Sequence, residues 1–161
     1  MSLRKLREIL LFTLMTSVAT QVAAENSGLI YAFGGDPGSP LTHAYSNGLP
    51  QDAGPTYTLR IAVMSPSIKD VFQDTVLTIS APEKIVQKVV AARAFRMPAD
   101  CDTARDVVFK ELAKALPREY GSPDEQWQLQ SADGNVIARA VCTKRRHDPM
   151  PVLSMEIALR Q

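Results

Sequence analysis

From Thr58 onward the chain settles into regular patterning. Leu59, Ile61 and Val63 alternate with Arg60, Ala62 and Met64, the period of two expected of a half-buried strand. Ser65-Pro66-Ser67 ends that run, and Thr75–Ser80, rich in β-branched residues and bounded by Pro82, predicts a second strand. Ile68–Gln73 leaves room for a helical turn between them. Residues 85–97 fit two periods, because Val86, Val89, Val90 and Ala94 also share a helical face. Their β-branched content and the alternation of Val89, Ala91, Arg93, Phe95 and Met97 favour a strand that Pro98 stops.

The next segment reads as an amphipathic helix. Asp102 or Thr103 supplies a cap, and Asp106, three positions after Thr103, completes a capping-box pattern. Ala104, Val107, Val108, Leu112, Ala115 and Leu116 fall on one face, with Asp106 and Lys110 spaced as an i,i+4 pair on the other. Pro117 disturbs the last turn and Gly121 marks a stop. The period then returns to two. Trp127–Gln130 and Asn135–Cys142 flank Ser131-Ala132-Asp133-Gly134, whose Asp-Gly step suits a tight hairpin turn. Val152–Leu159 adds a third strand, with Leu153, Met155, Ile157 and Leu159 on one face. The order in this C-terminal part is β-α-β-β-β. It predicts a two-layer α+β fold, an antiparallel sheet of about four to five strands covered by one main amphipathic helix.

Residues 25–57 lack such periodicity and hold six of the eight glycines and four of the eleven prolines. Clusters such as Gly34-Gly35-Asp36-Pro37-Gly38 and Asn47-Gly48-Leu49-Pro50 predict a Gly/Pro-rich N-terminal arm. Leu29, Ile30, Tyr31, Phe33 and Tyr45 give this arm apolar weight. A short strand near Leu29–Phe33 would dock it on the domain or on a partner; Tyr31, Phe33 and Tyr45 are candidate anchors for another protein, with docking on their own domain the favoured reading. Residues 1–24 have another pattern: Arg4, Lys5 and Arg7, an apolar stretch from Ile9 to Ala19, and Val22-Ala23-Ala24. This order predicts a secretory signal peptide cut after Ala24. The rival is a retained anchor, but the charge-free run Ile9–Ala24 has 16 residues, several of them polar, against about 20 needed to span a bilayer. The expected organisation is a signal peptide at 1–24, the arm at 25–57 and a single α+β domain at 58–161. A bacterial export signal points to a periplasmic or secreted protein with no stable membrane anchor after cleavage.

Charge narrows the partners. The chain has 18 basic and 17 acidic residues, and loss of Arg4, Lys5, Arg7 and Glu8 leaves 15 and 16, a net charge of −1. No broad field favours nucleic acid or an anionic membrane. Cys101 and Cys142 are the only cysteines, an even pair expected to form a disulfide in an oxidising compartment. Without a Cys-x-x-Cys spacing, a redox-active thiol is disfavoured.

Candidate chemistry is sparse. His43 and His147 have Asp36, Asp52 and Asp148 nearby in sequence but no metal-ligand spacing. The glycine cluster at 34–38 lacks the lysine and helix of a phosphate loop. No Gly-x-Ser-x-Gly occurs, and no Ser-x-x-Lys after residue 24. Asp124 with Glu125, and Asp100 with Asp102, read as loop-solvating and helix-favouring carboxylates. No catalytic residue, metal or cofactor is expected. Lys144-Arg145-Arg146-His147 forms a candidate interaction patch for an acidic partner surface or an anionic glycan, against the alternative of a solvated turn that discourages edge pairing. Trp127 is expected in the sheet core. The expectation is an exported, non-catalytic binding module acting on another envelope or secreted protein, of the inhibitor, immunity or assembly-accessory type. The alternatives are a small periplasmic hydrolase with a dispersed site, or a carrier of a small ligand on the open face of the sheet.

Overall fold

The computed structural model describes residues 28–42, 54–81, 83–116, 118–120, 128–144 and 150–160. Residues 28–33 form a short helix, α1. It is followed by β1 (Thr56–Ala62), the single turn α2 (Pro66–Lys69), β2 (Asp74–Ser80), β3 (Val86–Ala94) and the long helix α3 (Pro98–Ala115). Four strands close the chain: β4 (Arg118–Tyr120), β5 (Gln128–Gln130), β6 (Val136–Lys144) and β7 (Pro151–Leu159). All seven join one antiparallel sheet in the order β1-β2-β3-β7-β6-β5-β4. The α+β class and the single main helix are as expected. The sheet is wider than the four to five strands anticipated, because β1 and β2 continue it beyond β3 and the polar three-residue β4 adds an edge.

Two meanders make this sheet. β1-β2-β3 is one, β4-β5-β6-β7 the other, and the β3–β7 pair joins them. Strand periodicity then sorts side chains into rows. Leu59, Leu77, Val89, Ile157, Ala138 and Leu129 lie opposite one another from β1 to β5 and form one apolar row. On this inner face pack α3, through Cys101, Ala104, Val108, Leu112 and Ala115, and Ile68 of α2. Successive buried positions three or four apart give α3 its apolar stripe.

Residues 28–42 belong to the same core. Leu29, Ala32 and Phe33 are buried at i, i+3 and i+4, so the short strand expected near Leu29–Phe33 is instead a helix. The buried Thr75 Oγ1 donates to the Phe33 carbonyl at 2.8 Å. Gly35 then lets the backbone approach the sheet, since a Cβ there would lie 2.1 Å from Leu77 Cδ2. Pro40 makes a bridge to Ile85 beside β3.

The start of α3 also differs from the expected one. Pro98 opens the helix, with Met97 at the N-cap, rather than only ending the preceding strand. Its fixed φ and missing N–H cost nothing in the first turn. Thr103 Oγ1 donates back to the Ala99 carbonyl, and Asp102 pairs with Arg105, so neither serves as the cap. Asp106 pairs with Arg105 rather than with Lys110. Cys101 therefore lies inside the helix and not just before it. Its disulfide to Cys142 fastens α3 to β6, across the two layers.

Candidate functional site

The opposite face of the sheet carries the next row of side chains. Arg60, Val76, Val90, Glu156, Arg139 and Gln128 stand opposite one another from β1 to β5. Ala92, Ser154 and Val141 make a shorter parallel row. Every described helix packs on the inner face, and this outer face holds a groove of about 630 Å³ floored by Val76, Val90, Ala92, Val141 and Ser154. A floor of small side chains on a twisted sheet leaves a shallow trough between the longer residues on either side.

Those longer residues are charged. On one side Arg60 pairs with Asp74 at 3.1 Å, bridging β1 and β2. On the other, Glu156 of β7 receives Lys88 of β3 at 2.6 Å and Arg139 of β6 at 3.0 Å. The hydrogen bond from Lys88 and the field of Arg139 hold the Glu156 carboxyl below its ordinary pKa, against partial burial. In both arginine pairs the cation is the more exposed member. Arg60 is 72% exposed against 38% for Asp74, and Arg139 47% against 28% for Glu156. The rims therefore offer guanidinium N–H donors to solvent while their carboxylates sit lower. Arg60 and Arg139 are four strands apart in the sheet order, about 19 Å at the usual strand spacing.

A second concavity, of about 520 Å³, lies where the 36–39 turn meets the β5–β6 hairpin. It brings together Asp36 and Asp133, two carboxylates far apart in sequence. Asp36 accepts from Ser39 Oγ at 2.7 Å and is 5% exposed; burial raises its pKa, the Ser39 bond opposes that, and Asp133 adds to it. Asp133 is held in the opposite direction, ionised, by donation from Ser131 Oγ and from the Asn135 amide and side chain. A split pair of acids is an arrangement that hydrolases use. Here, however, the bonds to Asp133 shape the hairpin turn that ends at Gly134, φ 77°, and occupy both its oxygens.

Of the sites expected from sequence, the Cys101–Cys142 disulfide is present. Phe33 anchors residues 28–33 in their own core, whereas Tyr31 is 54% exposed; Tyr45 lies outside the described residues. Lys144 is exposed at the end of β6, while Arg145, Arg146 and His147 lie outside the described residues. So do His43, Asp52, Asp124, Glu125, Trp127 and Asp148. Among the described residues no group of three or more His, Cys, Asp or Glu side chains is placed to hold a metal ion, and no helix is long and apolar enough to cross a membrane. The groove went unseen in the sequence because its residues come from five strands that only the pairing register brings together. Comparison with protein-family models, curated proteins and solved structures gives no match for this chain.

Proposed function

We propose that this chain is an exported, non-catalytic binding module that receives one amphipathic helix of another envelope or secreted protein in the groove on its outer sheet face. Its N-terminal pattern supports export through cleavage after Ala24, and the Cys101–Cys142 bridge is compatible with an oxidising compartment. The observation that carries the binding role is the charged-rim, small-floored groove. An α-helix with its side chains is about 10–12 Å across, which fits between Arg60 and Glu156, three strands apart, or about 14 Å at the usual strand spacing. Its apolar stripe would cover Val76, Val90, Ala92 and Val141. Acidic residues beside that stripe would meet Arg60 and Arg139, the outward members of their pairs. Such complementary charge sets register and encounter rate more than affinity.

A photo-crosslinking residue at Ala92, on the groove floor, compared with one at Ala113, on the exposed side of α3, tests this in the native compartment. The expected product is one protein joined through an acidic, amphipathic segment from position 92 and not from 113. Arg60→Gln/Arg139→Gln should reduce it severalfold, and more at low than at moderate salt. Equal capture at both positions, indifference to the double substitution, or a small molecule retained in place of a protein would overturn the reading.

A further inference from the structure

Asp36 is a buried ionisable side chain, and its surroundings favour the neutral form. The carboxyl closes a tight turn, accepting from Ser39 Oγ while the Ser39 amide donates to the Asp36 carbonyl and Gly38 takes φ 90°. This turn is stitched to the sheet by three backbone bonds: Gly38 to Val86, Val86 to Ser39 and Leu41 to Lys84. Opposite stands the β5–β6 hairpin, with Asp133 fixed in its ionised form by Ser131 and Asn135.

The other surfaces of the corner do little to offset a charge on Asp36. The end of α3 contributes Ala115 and Leu116, and α1 contributes Leu29. Beyond β7, Arg160 lines the same concavity, but its side chain is exposed and forms an ion pair with neither described carboxylate. Ionised Asp36 would thus be a buried negative charge, penalised chiefly by its own desolvation and secondarily by the exposed Asp133.

We propose that Asp36 is a proton-operated latch: while its carboxyl is neutral the 36–39 turn seats against the β5–β6 hairpin, and its ionisation loosens that corner and opens the concavity between them. The direction follows from linkage. The native pKa of Asp36 lies above its unfolded value, chiefly through burial. The stability of the seated turn is therefore complete below the ordinary aspartate range of about 3.9. It is lost as pH rises through the raised native value. The far end of the β3–β7 ladder, Ala92–Ala94 with Val152–Ser154, has no share in this, because the turn meets these strands at their other end, beside Val86 and Leu159.

Amide exchange on the intact protein from pH 4 to 7.5, corrected for intrinsic rates, reads the latch at Gly38 and Leu41, with the far end of the β3–β7 ladder, Ala92–Ala94 and Val152–Ser154, as internal reference. Protection at those two amides should fall severalfold as pH rises, with a midpoint that matches the carbon-13 titration of the Asp36 carboxyl. The reference amides should stay protected, and Asp36→Asn should hold both turn amides protected throughout. Flat protection in wild type, a midpoint away from the Asp36 titration, or the same pH dependence in Asp36→Asn would overturn the proposal. The wild-type comparison of midpoints decides the matter even where the variant fails to fold.

Discussion

Thr75 and Gly35 set how closely residues 28–42 can lie on the sheet. Thr75→Val keeps the shape of the side chain but removes the donor to the Phe33 carbonyl, leaving a buried acceptor unpaired at a cost of about 1–3 kcal/mol. Gly35→Ala places a methyl 2.1 Å from Leu77 Cδ2 and 3.4 Å from Val89 Cγ2. Leu77 and Val89 are fully buried, so the strain has no open side to relax into, and overpacking of about 1–3 kcal/mol is expected. Gly54→Ala is the control, since a Cβ there meets nothing within 4 Å, and should change stability by less than about 0.5 kcal/mol. Urea unfolding of the three variants checks this, with lowered midpoints for the first two at unchanged slope. Neither role was legible in the sequence. Gly34-Gly35 reads as loop punctuation and Thr75 as a strand former, because the contact that gives each its meaning comes from the far side of the core.

Within β7, Glu156 ties three strands together by receiving Lys88 from β3 and Arg139 from β6. Its pKa lies below the ordinary value, led by the Lys88 bond. The stabilisation is therefore present above the unfolded glutamate pKa of about 4.3 and disappears as pH falls through the lowered native value. Glu156→Gln should consequently lose less stability than wild type between pH 5 and pH 3. Parallel urea midpoints over that interval would refute the account. The strands that carry this network were largely readable, because alternation marks a half-buried strand wherever it lies. The exceptions share a cause. α1 is under two turns long and runs into Gly34-Gly35, β4 is short and polar, and Pro98 marks a helix start as readily as a strand end. Periodicity needs length, and these elements owe their form to what they pack against.

The register between the two meanders was beyond any local pattern. β3 pairs with β7 across the whole of α3 and three intervening strands, and that pairing alone assembles the groove from Arg60, Val76, Val90, Glu156 and Arg139. The same long connection makes the disulfide consequential. α3 buries mostly small or medium side chains, Ala104, Val108, Leu112 and Ala115, and Cys101 sits in its first turns with its partner on β6, 41 positions away. For a loop of that size the chain-entropy model gives about 4 kcal/mol, a large share of the roughly 5–15 kcal/mol that holds a typical domain together. Cys101→Ala/Cys142→Ala should lower the unfolding free energy by about that amount. If the bridge also clamps the layers in the native state, amides of α3 should lose more exchange protection than those of the β3–β7 ladder. A uniform loss would assign the stabilisation to the unfolded chain alone, because a bridge that only restricts unfolded conformations lowers every globally protected site equally.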